Sequence, residues 1–240
     1  MIKKIISLFS IFAVISLITF FLVKLSPGDP SENYLRASHV SITAETLAST
    51  RKALGLDKPV PVQYMNWAGN LLKGDFGVSY SKKVPVIDLV SEAIVPTFQL
   101  GLFSFLILLL TAPILGIISA VNKNSFIDYI VQALSYTGVS VPTFWLGYIL
   151  IIIFAVSLKI LPVSGRGGVE NLILPCITLV TPLVAQTTFL IRKSILEQME
   201  KPHVENAVIR GVSRKKVIIN HLLRNAAIPI VTVLSSNIMF

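Results

Sequence analysis

The side chains that could carry out chemistry in this sequence are few and do not converge. The aspartates of the polar stretch at 26–95 each stand at a predicted turn or helix end: Asp29, Asp57, Asp75 and Asp88. No two carboxylates share a helical face, as a paired general acid and general base would require. The sequence therefore predicts no catalytic residue and favours a chain that is not itself an enzyme.

The histidines, the single cysteine and the glycines do not form a recognisable cofactor site. His39, His203 and His221 are expected to lie far apart, and no His-x-x-x-His or Cys-His spacing suits a metal. Cys176 stands alone among apolar residues, which excludes an intramolecular disulfide and a thiolate cluster. The glycines at 165–168 lack the following Lys-Ser or Lys-Thr of a nucleotide phosphate loop. We therefore predict no metal and no cofactor bound by this chain.

Composition places these residues in a membrane protein. The chain has 240 residues, of which 53% are hydrophobic and 14% charged. Its apolar runs are too long for a soluble core, so we predict an all-α polytopic membrane protein. The net charge of +9 is concentrated at 192–224, with eight basic and three acidic residues, whereas 26–95 is balanced. This is the positive-inside pattern of a cytoplasmic segment, and it requires no nucleic acid.

The first third of the chain is predicted to form one span and an outer region. The apolar run at 5–25 is longer than the core of a cleaved signal peptide, so 1–25 is predicted to be a first transmembrane helix with a cytoplasmic N-terminus. The polar region at 26–95 would then be extracytoplasmic. Within it we predict a helix capped by Thr43, a second helix at 62–72, and a segment at 86–94 along the membrane.

The region 96–240 is predicted to be the transmembrane core. Spans are expected at about 97–121 and 172–191, and a longer apolar stretch at 129–158 is expected to kink before Pro142. The last apolar stretch, 226–240, is shorter than the ~17 residues that a complete span needs. The chain is therefore expected to stop inside a fifth helix.

Several polar side chains fall within these apolar spans. In lipid such groups face protein or water, so they are candidates to line a pathway across the membrane. Hydrogen bonding between helices is an equally good explanation for any one of them. The candidates are Gln99, Ser135, Ser140, Thr181 and Gln186.

A polar, cationic segment at 201–229 interrupts the hydrophobic second half. Pro202 suits a helix start, and Gly211 can take the left-handed conformation that ends a helix. Ser213 is then placed to cap a second short helix. Two short helices set at an angle between spans would form a rigid projection on which a partner protein can exert a force.

The residues of this segment resemble the EAA loop of ABC importer permeases. The resemblance is carried by Glu205-Asn206-Ala207, by Gly211 four residues later, and by the run 221–226. It departs from the family pattern at Asn206, where Ala is usual. Further family-like runs occur at 28–30, 54–57, 75–77 and 141–147, so the resemblance covers the whole chain. The chain is identified as a member of the dipeptide, oligopeptide and nickel permease family.

This resemblance implies a MetI-like, type I importer fold with about five of the usual six transmembrane helices. It also implies an EAA loop at 197–225 that couples to the ATPase subunits. The coupling residues would be Glu205, Asn206, Ala207, Gly211, His221, Arg224 and Asn225. The implied partners are two ATP-binding cassette subunits that bind ATP and Mg²⁺, a homologous second permease and an extracytoplasmic substrate-binding protein. The protein would be multi-pass in the bacterial cytoplasmic membrane.

The sequence motifs indicate the family more clearly than they indicate the substrate. The runs at 34–38 and 47–51 and the pair His203-Val204 look more like nickel permeases, which makes nickel, free or chelated, the main expectation. Dipeptide or oligopeptide import is the alternative within the family. A secondary transporter is the alternative from another class, but no acidic residue falls in the middle of a predicted span.

Overall fold

The computed structural model describes residues 2–237, without the side chain of residue 2. These residues form helices and one isolated antiparallel bridge between Val78 and Pro85. The helices are α1 (Ile2–Leu25), α2 (Pro30–Ala37), α3 (Ala44–Ala53), α4 (Val60–Leu72), α5 (Val86–Val121), α6 (Phe126–Ser140), α7 (Thr143–Leu150), α8 (Glu170–Met199), α9 (Pro202–Ile209), α10 (Arg214–Lys216) and α11 (Arg224–Ser236). Two π-helical segments, Ile151–Ser157 and Val217–Leu223, extend α7 and join α10 to α11.

The chain divides into two compact units, Met1–Ile94 and Val95–Phe240. In the first unit, Phe20 of α1 makes ring contacts with Tyr64 and Trp67 of α4, with centroid distances of 5.4 and 5.9 Å. Thr43 caps α3 with a reciprocal capping box, which confirms the predicted cap. The helix predicted at 62–72 is also present, beginning two residues earlier at Val60.

Asp29 organises the start of the polar region at 26–95. Its side chain accepts a hydrogen bond from the Ser31 amide at 2.9 Å and so caps α2. Arg51 of α3 donates to the same carboxylate through Nε at 3.1 Å. Burial alone would raise the pKa of Asp29, but the hydrogen bonds from Arg51 and Ser31 outweigh it and hold the pKa below its usual value.

Within residues 2–237, four helices are long and apolar enough to cross a membrane: Lys3–Leu25, Val86–Val121, Glu170–Met199 and Arg214–Ser236. Phe126–Ser140 and Thr143–Ser157 form a fifth candidate span that is bent by 105°. The kink predicted before Pro142 is confirmed, because α6 ends at Ser140 and Val141 is extended. The residue before a proline is pushed out of the helical region, which explains the break.

Two predicted helix boundaries were wrong. The segment at 86–94 does not lie apart from the second span, since α5 is continuous from Val86 through Pro96. An internal proline removes only one helical hydrogen bond, and a 36-residue helix retains the rest. The span predicted at 172–191 lies within the longer helix α8, which continues to Met199 because no glycine or proline follows until Pro202.

The last helix also begins earlier than predicted. The segment after Ser213 is not a separate short helix, because it runs from Arg214 into the apolar stretch as far as Ser236. This gives 23 residues rather than a short fifth helix starting at 226. Ser213 stands at the start, but its side chain makes no capping hydrogen bond. Residues 238–240 of the predicted fifth helix lie outside the described residues.

The core of the second unit depends on close approach between helices. A Cβ at Gly116 of α5 would lie 2.7 Å from Ile191 Cγ2 of α8, and one at Gly138 of α6 would lie 2.9 Å from Ala185 Cβ. Small residues allow such contacts, which are typical of helix pairs in membranes. The buried apolar cluster runs from these helices into the EAA loop: Leu108, Ala112, Ala120, Val180, Ile191, Ile195, Val204, Ala207, Val217, Leu222, Ala226 and Leu234.

Candidate functional site

One face of α9 is buried and the other is exposed. Val204 is 5% exposed and Ala207 fully buried, and both belong to the core cluster with Leu222. Two other apolar residues of the same helix, Val208 and Ile209, are 59% and 74% exposed. Apolar side chains held in this way on a short, supported helix form a surface suited to a protein partner.

The predicted coupling residues include exposed and buried side chains. Glu205, Asn206 and Arg224 are exposed and can reach a partner directly. Ala207 is buried within the chain, so it can contribute only by holding α9 in place. The α9 surface is defined here as Glu205, Asn206, Val208 and Ile209.

Gly211 ends α9 in the left-handed conformation that the sequence predicts. Its φ is +75°, its amide donates to Val208 O at 2.9 Å, and the Val212 amide donates to Ala207 O at 3.1 Å. These two bonds form a Schellman motif, which satisfies carbonyls at the helix end. No other side chain lies within 4 Å of a Cβ built there. The requirement for glycine is therefore conformational rather than steric.

The expectation that His203 and His221 lie far apart was wrong. Their ring centroids are 6.5 Å apart, because the turn at Gly211 folds α9 back against the segment Val217–Leu223. Asn225 Nδ2 donates to His221 O at 2.6 Å and lies 3.1 Å from His203 Nε2. The side chain of Asn225 therefore ties α9 to the helix that follows, across 22 residues of sequence from His203.

A buried ion pair that was not predicted from the sequence links the transmembrane helices α5, α6 and α8. Arg192 of α8 donates to Asp128 of α6 through Nε and Nη2, both at 2.8 Å, in a two-pronged pair. Ser119 of α5 and the Asn124 amide donate to the same carboxylate at 2.5 and 2.9 Å. The Asp128 side chain is 1% exposed and that of Arg192 18%. Three helices are therefore joined at one carboxylate.

This junction lies beside the EAA loop. Arg214, the first residue of α10, donates through Nη2 to the Val121 carbonyl at the end of α5, at 2.9 Å. α8, which carries Arg192, leads within a few residues into α9. Covalent and hydrogen-bonded links thus connect the segment that carries the α9 surface to α5, α6 and α8.

The five candidate pathway residues differ in their surroundings. Ser135 is 4% exposed, and the Thr181 hydroxyl donates to Ile177 O of its own helix at 2.6 Å. For these two, packing and local hydrogen bonding account for the position. Ser140 and Gln186 are exposed within the chain. Gln99 lines a cavity of about 450 Å³ between residues 96–103 of α5 and the segment that leads into and begins α8.

We refer to this space as the α5–α8 cavity. Its polar lining includes Thr97, Gln99, Arg166 and Asn171, and its apolar lining includes Leu100 and Phe103. At its base the Cys176 thiol of α8 lies 3.9 Å from Leu100 O of α5, so the two helices are in contact there. The cavity lies at the opposite end of α8 from the EAA loop.

The sequence matches one family along most of its length. Residues 112–240 match the binding-protein-dependent transport system inner membrane component, and residues 1–101 match the corresponding N-terminal region. The chain is 32% identical over 240 residues to the "Probable peptide ABC transporter permease protein y4tP" of Sinorhizobium fredii, covering 97% of this chain and 76% of the relative.

Relatives named for glutathione show a similar level of identity. The glutathione transport system permease protein GsiC of Pectobacterium atrosepticum is 34% identical over 233 residues, with 97% of this chain and 75% of the relative covered. The protein of the same name from Salmonella typhimurium is 32% identical over 232 residues, with the same coverage. Taken with the apolar helices and the match over 97% of this chain, these similarities identify the chain as a member of the binding-protein-dependent transport family, the membrane-spanning permease subunits of ABC importers.

Proposed function

We propose that this chain is a permease subunit through which short peptides, including glutathione-like ones, enter the cell. The observation that carries the proposal is similarity over 97% of the chain to permeases named for peptides and glutathione. These relatives favour the peptide alternative over nickel, the main expectation from the sequence. The nickel expectation rested on a few short runs in the first 51 residues and on His203-Val204, which are weak beside a full-length match.

The energy for transport is proposed to come from ATP hydrolysis by a pair of separate ATP-binding cassette subunits. The α9 surface presents two exposed apolar side chains, Val208 and Ile209, beside the polar Glu205 and Asn206. Such a surface, with an apolar centre and polar edges, suits binding in a groove on a soluble partner. Closure of the partners on ATP would move the α9 surface, and the contacts at Arg214 and Asp128 would transmit the movement to the spans.

The remaining partners follow from the same proposal. A homologous second permease would complete the passage, and an extracytoplasmic binding protein would deliver the peptide. The basic surplus at 192–224 favours a cytoplasmic position for the EAA loop and a cytoplasmic N-terminus. The protein would then lie in the bacterial cytoplasmic membrane. In this arrangement ATP and Mg²⁺ act only in the partner subunits.

Uptake in cells lacking this permease tests the substrate. We expect the deletion to abolish ATP-dependent uptake of a radiolabelled dipeptide or of glutathione, and the wild-type gene to restore it. Uptake of ⁶³Ni²⁺ in the same cells is expected to be unchanged. Loss of nickel uptake with normal peptide uptake would contradict the proposal and restore the nickel expectation.

A further inference from the structure

We infer that the α5–α8 cavity is a receiving site for the carboxylate end of a short peptide, with Arg166 as the residue that binds the carboxylate. The inference rests on the proposed function and adds a site and a chemical basis for selection to it. Gln99 and Asn171 would bind the neighbouring peptide group, and Leu100 and Phe103 would contact an apolar side chain.

The position of the cavity is that of an entrance. α8 has 30 residues and therefore extends about 45 Å. The cavity lies against its first residues, whereas its last residues lead into α9. If the EAA loop is cytoplasmic, the cavity opens on the outer side, where a binding protein would release its peptide.

The cavity has a suitable size and mixture of groups. A volume of about 450 Å³ falls within the ~300–1,000 Å³ typical of small-molecule sites. Three uncharged polar side chains, Thr97, Gln99 and Asn171, stand beside apolar ones, which fits the alternation of amide and side chain in a peptide.

Arg166 has the chemistry that a carboxylate requires. A guanidinium carries five N–H donors in a planar fork, so it can retain a contact within the protein and still offer a pair of donors to a ligand. The start of α8 has no side-chain cap, and the partial positive charge of a helix N-terminus favours an anion nearby. The Glu170 carboxylate packs against Gly168 of the lining and offers a counter-charge to a peptide ammonium.

The shape of the loop supports a built site. Gly165 and Gly167 have φ of +129° and +109°, conformations that other residues rarely adopt. A Cβ at Gly165 would lie 3.1 Å from Asn171 Oδ1, so glycine lets the loop close over that amide. The loop is thereby held against the start of α8, with Arg166 between the two glycines.

Photolabelling of the intact importer tests the site without the binding protein. The complex, with both permeases and both ATPase subunits in nanodiscs, is irradiated with the dipeptide benzoylphenylalanyl-alanine. We expect the label at 96–103 or 165–175, competed by a free dipeptide about tenfold better than by its C-terminal amide. Labelling confined to other segments, or equal competition by the amide, would overturn the inference.

Variants isolate the role of the guanidinium. Arg166→Gln is expected to lower labelling about tenfold, and Arg166→Lys, which keeps the charge but not the fork, should fall in between. Lys159→Asn removes a cation from the same connection outside the cavity lining and should label like wild type. Assembly is verified for each variant. Unchanged labelling in an assembled Arg166→Gln complex would refute the role, whereas cells that import no peptide would instead refute the proposed function.

Discussion

The Asp128 carboxylate accepts four hydrogen bonds and is almost fully buried, so its removal leaves the Arg192 guanidinium without its partner. Breaking a buried pair by removing one member costs about 3 kcal/mol or more. We therefore expect Asp128→Asn to lower the thermal stability of the assembled complex and to reduce ATP-coupled uptake.

A matched pair on the same helix provides the control. Lys193 and Glu197 are 3.9 Å apart and mostly exposed, at 74% and 60%. Exposed pairs contribute roughly 0–1 kcal/mol, so Glu197→Gln should leave melting and uptake nearly unchanged. Equal melting temperatures for Asp128→Asn and Glu197→Gln would show that the buried pair does not support the base of the spans.

The pair Asp29–Arg51 makes the outer region sensitive to acid. Because the pKa of Asp29 is lowered in the folded state, its ionised form stabilises the fold at pH above about 4, the value expected for an unfolded aspartate. That stability is lost as the pH falls through the lowered pKa. We expect the amides of α2 and α3 to exchange faster with solvent below about pH 4, after correction for the intrinsic pH dependence.

Asp29→Asn separates the ion pair from the helix cap, since asparagine caps helices as well as aspartate does. The variant should exchange faster than wild type at pH 7, and its α2 and α3 amides should show little of the additional loss in acid. A wild-type profile that is flat from pH 6 to pH 3 would argue against the role of this carboxylate.

At the scale of the helix, Gly211 determines where α9 ends. Its φ of +75° is accessible to glycine and asparagine but strained for a β-branched residue, by about 1–3 kcal/mol. We expect Gly211→Val to leave membrane insertion intact while uncoupling ATP hydrolysis from peptide uptake. Gly211→Asn tolerates the same conformation and should retain most of the coupling. Normal uptake by an assembled Gly211→Val complex would reject this role.

The helices that the sequence predicted well carry strong local signals. The cap at Thr43, the break before Pro142 and the turn at Gly211 depend on residues whose backbone preferences act at short range. The errors arose where a local signal was misleading or where none was present. Pro96 lies inside a long helix, and the polar segment after Ser213 continues directly into an apolar one. Continuity of a helix depends on packing along its whole length, which periodicity alone does not reveal.

At the scale of the whole molecule, sequence motifs identified the family but not the contacts that make the site. Asp128 and Arg192 are 64 residues apart and meet only because α6 and α8 pack together. His203 and His221 meet only because the turn at Gly211 reverses the chain. Asp128 near a helix start and Arg192 near the end of a span could each be explained by its local position in the sequence. Their pairing follows from the packing of α6 against α8.

The α9 surface is where we propose that an ATP-binding subunit contacts this chain. A benzophenone maleimide on Ile209→Cys, in a Cys176→Ser background, reports directly on what lies against that surface in the assembled importer. Val163→Cys is a control of comparable exposure, on the connection that precedes α8. We predict an adduct between the Ile209→Cys variant and an ATP-binding subunit, with a yield that changes on adding ATP, and none from Val163→Cys. The absence of that adduct, or its formation from Val163→Cys instead, would contradict the account.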